Sequence, residues 1–194
     1  MQLYALVQHM VFATLLALLS AAVVRLMIAR PILDHPNARS AHVNPTPRGG
    51  GLGVVVAFVA GMVVLFQAAE FARIAEQQFL GVIAAAIAIA GVALWDDMRN
   101  LSARLRLGAQ AGAALLALAS GLVVDRLALP WIGVVELGWL GVALTLFWIM
   151  GCTNAVNFMD GLDGLVGGTM LIASAALAAI AATQGGWFVY AAAL

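Results

Sequence analysis

Residues 79–97 read Phe79-Leu-Gly-Val-Ile-Ala-Ala-Ala-Ile-Ala-Ile-Ala-Gly-Val-Ala-Leu-Trp95-Asp96-Asp97. Seventeen residues pass without a charged or amide side chain, and then two carboxylates stand side by side. A helix needs roughly 17–25 apolar residues to cross the hydrocarbon of a bilayer. The run is apolar on every face and rich in Ala, Leu and Gly, which let helices approach closely in lipid. A transmembrane barrel would instead repeat strands of about ten residues with alternating polarity.

The same pattern recurs in both directions. Leu3–Val24, Gly51–Ala69, Leu107–Val124, Leu137–Thr153 and Leu165–Ala182 are each long and apolar enough to span, which with Phe79–Trp95 makes six. A seventh run begins at Trp187 and continues to Leu194. The fold expected is an all-α polytopic membrane protein. Residues 1–194 form one integral-membrane domain, read as truncated because the seventh run is too short to span. Composition agrees. Of 194 residues 64% are hydrophobic and 9% charged, and mean hydropathy is +1.05. A soluble domain carries about 25% charged residues. These values exclude a soluble enzyme, a secreted disulfide scaffold and a disordered chain. Formal net charge is zero, so no global field attracts nucleic acid. The single cysteine, Cys152, permits no internal disulfide or cysteine-based zinc site and reads as a small packing residue.

Orientation follows from arginine. All nine basic residues are Arg, and seven lie in the first loop, Arg25–Gly50, or the third, Asp96–Arg106. The positive-inside rule places those loops in the cytoplasm. Alternation places the fifth loop there too and the amino terminus outside. Three polar loops then share the cytoplasmic face. The first span lacks a basic leader segment and is followed by Arg25 and Arg30, so it reads as an anchor and not a cleaved signal peptide. Within the outside segment Leu127–Val135, Leu-Pro-Trp-Ile-Gly reads either as a shallow interfacial turn or as an ordinary loop with an aromatic anchor.

The polar loops carry the chemistry. The fifth reads Asn154-Ala-Val-Asn157-Phe-Met-Asp160-Gly161-Leu162-Asp163-Gly164. Its polar residues recur every third position, so on a helix they would stay near one another. Gly161 and Gly164 follow the two aspartates and permit tight turns or a close backbone approach to a ligand. A carboxylate at membrane depth costs roughly 2.5–3.5 kcal/mol on insertion scales, so such a cluster calls for a purpose. Asp163 is also a candidate N-cap for the sixth span. Asp96 and Asp97 repel one another unless a cation or arginine pairs with them. They suit Mg²⁺, which takes one or two carboxylates plus substrate phosphate oxygens. A helix end screened by Arg99 and Arg104 would account for the pair equally. In the first loop Arg39, His42 and Arg48 can donate to phosphate oxygens within a Pro- and Gly-framed segment; the arginines alone could equally serve topology. His9 reads as hydrogen-bonded to a neighbouring helix and Glu136 as interfacial. No Ser–His–Asp set, phosphate-binding P-loop or dinucleotide fingerprint is present.

Together these segments resemble the polyprenyl-phosphate N-acetylhexosamine-1-phosphate transferase superfamily, glycosyltransferase family 4. Asp34-x-Pro-Asn-x-Arg39-x-x-His42 with Pro47-Arg48-Gly49-Gly50 is similar to its first cytoplasmic loop. Asp96-Asp97 with Leu101-Ser102 and Leu105 is similar to its Asp-Asp loop. Asn154-x-x-Asn157-x-x-Asp160-Gly-x-Asp163-Gly-Leu is similar to its signature. The Asn-Phe-Met-Asp-Gly form is closer to the branch that initiates O-antigen and related surface polysaccharides than to the peptidoglycan-precursor branch. The chain would cover the first half to two-thirds of the family's domain. A later Gly-Asp-x-Gly-Ser segment, whose aspartate helps bind Mg²⁺, and a His-rich loop are absent from these 194 residues.

The resemblance implies a phospho-N-acetylhexosaminyl transferase of the inner (cytoplasmic) membrane. It would move a sugar phosphate from a UDP-N-acetylhexosamine to polyprenyl (undecaprenyl) phosphate and release UMP. The implied cofactor is Mg²⁺, with Mn²⁺ as a substitute. The implied partners are the two substrates, the membrane and a second copy in a homodimer, with no nucleic acid. Asp96 and Asp97 would lie near metal and reacting phosphates, with Asp160 completing the catalytic set. Asn154 and Asn157 would line the central site, and Gly161, Leu162 and Asp163 the uridine pocket. His42 and Arg48 would lie beside nucleotide or phosphates. A one-step transfer and a covalent aspartyl-phosphate route both remain open. The competing readings are a non-catalytic truncated paralogue and an ion-coupled transporter; the latter would place carboxylates in mid-span, whereas here they sit at the cytoplasmic span ends.

Overall fold

The computed structural model describes residues 2–30, 32–34, 46–68, 76–99, 101–159 and 164–193. Among the described residues seven helices and two antiparallel strand pairs follow one another: α1 (Gln2–Ala29), β1 (Ile32–Asp34), β2 (Thr46–Arg48), α2 (Gly51–Ala68), α3 (Glu76–Arg99), α4 (Ala103–Ala119), β3 (Arg126–Leu129), β4 (Gly133–Glu136), α5 (Trp139–Met159), α6 (Leu165–Gln184) and α7 (Trp187–Ala193). Among the described residues five stretches are long and apolar enough to cross a membrane: Val7–Ala29, Gly51–Ala68, Glu76–Arg99, Trp139–Met159 and Leu165–Gln184. Large apolar side chains stay exposed along them, among them Leu15, Val54, Leu80, Phe147 and Leu171. A chain that dissolves in lipid has no need to hide them. The protein is a helical, multi-pass membrane protein.

The fourth expected span is shorter than its apolar run. Leu107–Val124 was expected to cross, but α4 ends at Ala119. Ser120 caps it, and Gly121 turns the chain at φ +93°. At 17 residues α4 is about 26 Å long. Two antiparallel ribbons also qualify the all-α expectation. One pairs β1 with β2, and the other pairs β3 with β4. Helix α6 departs from expectation at its start, where Gly164 at φ +77° holds the N-cap position without a side-chain cap, in place of Asp163.

The elements form two compact units. The first holds α1, β1, β2, α2, α6, α7 and the last three residues of α3, Asp97–Arg99. In it α2 packs on α1 through small residues. A methyl on Gly53 would meet the Ser20 carbonyl oxygen at 2.7 Å, and one on Gly61 would meet Leu16 at 2.8 Å. The Tyr190 hydroxyl and His9 Nδ1 lie 3.1 Å apart, with the rings edge to face. This fulfils the expectation that His9 finds a partner on another helix.

The second unit holds α3 through Asp96, α4, β3, β4 and α5. Its helices alternate in direction, and polar side chains join them at both ends. At one end the Gln77 and Gln78 amides donate to the carbonyls of Ala119 and Gly121. The Ala119 carbonyl is in the last turn of α4, where it has no partner within the helix, and the Gly121 carbonyl also accepts from the Val123 amide. Gly81 lies against Ser120, and Gly141 against the Val124 carbonyl. The Val124 amide donates to Thr145 Oγ1 at 2.9 Å, and Thr145 in turn donates to the Gly141 carbonyl. Among the described residues no buried side-chain N or O lacks a hydrogen-bond partner. An unmet polar group would be costly where water is absent.

Candidate functional site

At the opposite end of the second unit, α3 at Asp96, the start of α4 and the end of α5 converge. Helix α3 runs past its apolar stretch, so Asp96 and Asp97 sit on its last turns and not in a loop. Helix α5 likewise extends to Met159 and carries Asn154 and Asn157. Ser102 caps α4 by accepting from the Leu105 amide. The connection from α3 to α4 is therefore short and pinned.

Asp96 is the pin. Its Oδ1 accepts from the Leu101 amide at 2.7 Å, and its Oδ2 pairs with Arg106 at 3.2 Å. The pairing differs from the Arg99–Arg104 screen considered from sequence. Position 106 follows the N-cap by four residues, so its side chain stands over the first turn, facing α3. Asn154 Nδ2 donates to Gln110 Oε1 at 2.7 Å and to the Met150 carbonyl at 2.8 Å. With its amide hydrogens engaged, Asn154 keeps an acceptor oxygen for a ligand.

These groups line one cavity of about 310 Å³. Asp96, Arg106, Gln110, Thr153, Asn154 and Asn157 supply its polar wall, and Ile89, Val92, Ala93 and Leu107 supply apolar wall. The volume suits part of a small ligand, since pockets for drug-sized molecules span about 300–1,000 Å³. One cation, one carboxylate and several amides favour a polar, phosphate-bearing or hydroxylated guest over an apolar one.

The structure thus brings together three of the residues singled out from sequence: Asp96, Asn154 and Asn157. Asp97 is the next residue of α3 and half-buried. Arg48 ends β2, and its side chain is not described. His42, Asp160, Gly161, Leu162 and Asp163 lie outside the described residues. Three polar cavity residues, Arg106, Gln110 and Thr153, are not among the site residues read from sequence. Arg106 was counted only toward topology, and Gln110 sat unremarked in an apolar run. Ser102, Arg106 and Gln110 recur at intervals of four, which places them on one helix face; that spacing was the available signal. Cys152, expected to pack, is exposed on α5.

Residues 79–194 match the profile of Glycosyl transferase family 4. The chain is 31% identical over 183 residues to the probable undecaprenyl-phosphate N-acetylglucosaminyl 1-phosphate transferase of Bacillus subtilis, covering 91% of this chain and 49% of that protein. It is 30% identical over 171 residues to a decaprenyl-phosphate N-acetylglucosaminephosphotransferase of Mycobacterium tuberculosis, covering 85% of this chain and 42% of the relative. A shorter stretch of 61 residues is 48% identical to the phospho-N-acetylmuramoyl-pentapeptide-transferase of Listeria welshimeri, covering 31% of this chain and 19% of that protein. The chain spans about half the length, or less, of these relatives. The match takes in both Asp96 and the Asn154–Asp163 segment, the two places where carboxylates and amides stand at span ends. The chain belongs to glycosyl transferase family 4, the superfamily of the polyprenyl-phosphate N-acetylhexosamine-1-phosphate transferases.

Proposed function

We propose that the protein to which this chain contributes transfers N-acetylhexosamine-1-phosphate from a UDP-sugar to polyprenyl (undecaprenyl) phosphate at the inner face of the cytoplasmic membrane. The step would initiate a surface polysaccharide such as O-antigen. The observation that carries this reading is the cavity holding Asp96, Arg106, Gln110, Asn154 and Asn157 at the ends of membrane helices. A lipid-borne phosphate and a water-borne nucleotide can meet only at such a boundary.

The attacking group is a phosphate oxygen of the lipid. A phosphate monoester has its second pKa near 6, so that oxygen is already largely ionised at neutral pH. It forms a bond to the β-phosphorus of the UDP-sugar. The bond from that phosphorus to the bridging oxygen breaks, and UMP leaves with the electron pair. Catalysis then rests on alignment and charge neutralisation. Arg106 uses one N–H on Asp96, and the other guanidinium donors remain for phosphate oxygens. Asp96 fixes that guanidinium and the first turn of α4. Gln110 orients Asn154, whose oxygen accepts from a sugar hydroxyl or amide. Asn157 lines the same wall one turn further along.

Mg²⁺, or Mn²⁺ in its place, fits the donor chemistry. Each Asp96 oxygen accepts one contact and retains lone-pair capacity. Asp96, with its sequence neighbour Asp97, would hold the ion, which when bound neutralises pyrophosphate charge. His42, Arg48, Asp160, Gly161, Leu162 and Asp163 complete the proposed site on the strength of their motifs. UMP release tests the reading. Membranes carrying the product of the complete reading frame are given UDP-N-acetylglucosamine, undecaprenyl phosphate and Mg²⁺. Lipid-dependent UMP release is expected. A protein that folds and inserts yet releases none from any UDP-N-acetylhexosamine contradicts the proposal.

A further inference from the structure

The hairpin between α4 and α5 lies at the end of the second unit away from the cavity, and the proposed reaction makes no use of it. Its two strands pair Arg126 with Glu136, Leu127 with Val135, Ala128 with Val134 and Leu129 with Gly133. Polarity is sorted along its length. The open end carries an Arg126–Glu136 ion pair at 2.9 Å, both side chains about two-thirds exposed. From Leu127 to Val135 there is no charged side chain. The tip is a turn closed by the Ile132 amide on the Leu129 carbonyl at 3.3 Å. Pro130 takes its second position and Trp131 its third, at φ +64°.

Position three of this turn type calls for positive φ and ordinarily takes Gly or Asn. A bulky residue there is an outlier that the surroundings must compensate. Among the described residues nothing covers it, for Trp131 is fully exposed, with Ile132 at 73% and Val134 at 67%. Trp139, at the first turn of α5, is 78% exposed.

We infer that the hairpin tip is a membrane-interface anchor, seated in the lipid headgroups of the leaflet opposite the cavity, with Trp131 as its buried wedge. Three observations select lipid as the occupant. The tip is apolar and uncharged, and the only ion pair lies at its base. The hairpin is continuous with lipid-facing helix surface, since α5 begins three residues after β4 and exposes Trp139, Leu140 and Phe147. Tryptophan prefers the headgroup level, where its ring is apolar and its N–H finds a partner. Geometry sets the posture. From base to tip the hairpin spans about 13 Å. The interfacial layer of one leaflet is only about 5–8 Å deep. An upright hairpin would hold Trp131 out in water, so the ribbon lies along the surface with its tip turned down.

Tryptophan quenching in vesicles tests this. The full chain and its Trp131→Phe variant are reconstituted in phosphatidylcholine vesicles, and the difference between their emission spectra isolates Trp131 from the other four tryptophans. With lipid brominated at carbons 6 and 7, at least half of the difference signal is expected to be lost. Lipid brominated at carbons 11 and 12 should quench it less, and aqueous acrylamide little. Quenching by acrylamide without quenching by brominated lipid would overturn the proposal, leaving the tip in water. Protection from both quenchers would overturn it equally, placing the tip against protein. As a second readout, Trp131→Gly relieves the turn. It should raise the melting temperature in detergent while exposing the thiol of Ile132→Cys, introduced in a Cys152→Ser background, to aqueous reagent in vesicles. A label that stays protected in the glycine variant contradicts the wedge role.

Discussion

Asp96 serves two purposes, and they separate experimentally. Its contact with Arg106 is half-exposed on the arginine side, and such pairs contribute at most about 1 kcal/mol. Asp96→Asn should therefore leave melting in detergent nearly unchanged while lowering UMP release by about 100-fold or more, the scale on which losing one charge-stabilising group acts. Arg106→Gln should fall in the same direction, and the double variant should lose less than the two losses multiplied, because each side chain works through the other. The Asn154–Gln110 pair makes a different prediction. Gln110→Leu removes the acceptor that orients Asn154. A cost of about 1 kcal/mol in stability is expected, with a rise in KM for the UDP-sugar measured by UMP release. An unchanged KM would detach Asn154 from the sugar. These residues also mark how far sequence reading reaches. Asp96, Asn154 and Asn157 stood out because polar groups at span ends are costly. Arg106 and Gln110 did not, because their partners, Asp96 and Asn154, are 10 and 44 residues away.

Among the elements, α4 departs most from its sequence pattern. Its apolar run continues to Val124, and hydropathy alone reads that run as helix. Backbone chemistry decides otherwise: Gly121 takes φ +93°, the Leu122 amide turns back to the Ala117 carbonyl, and the Val124 amide gains Thr145 on α5 as its partner. Small residues set the spacing. A methyl on Gly81 collides with Ser120, so Gly81→Ala is expected to destabilise by about 1–3 kcal/mol. Ser120→Gly should restore most of that loss by clearing both the hydroxyl and the Cβ, as read by melting of the double variant in detergent. Gly141→Val should be worse and without rescue, because the obstructing atom is the Val124 carbonyl oxygen. The β3–β4 hairpin was half legible. Pro130 and the apolar flank signalled a turn at the interface, but Leu127–Leu129 and Gly133–Val135 are too short for their period to announce strands. The extension of α5 to Met159 was legible only in the three-residue spacing of Asn154 and Asn157, which a loop would not need.

At the scale of the whole molecule, the composition dictates lipid as solvent and arginine bias supplies an orientation. Among the described residues five helices are long and apolar enough to cross a membrane, and family membership is legible in Asp96-Asp97 and the Asn154–Asp163 segment. The sidedness of the loops is where fold and proposed chemistry meet, because substrates from lipid and cytosol must reach one place. Cysteine accessibility measures it directly. In a Cys152→Ser background, which removes the one exposed native thiol, single cysteines replace Arg48, Asp97 and Asp160 in turn. Each is challenged with a membrane-impermeant maleimide in right-side-out and inverted vesicles. All three should label only in inverted vesicles, from the cytoplasmic face. Labelling of any one from the outer face would divide the proposed site across the bilayer and contradict the transfer reaction.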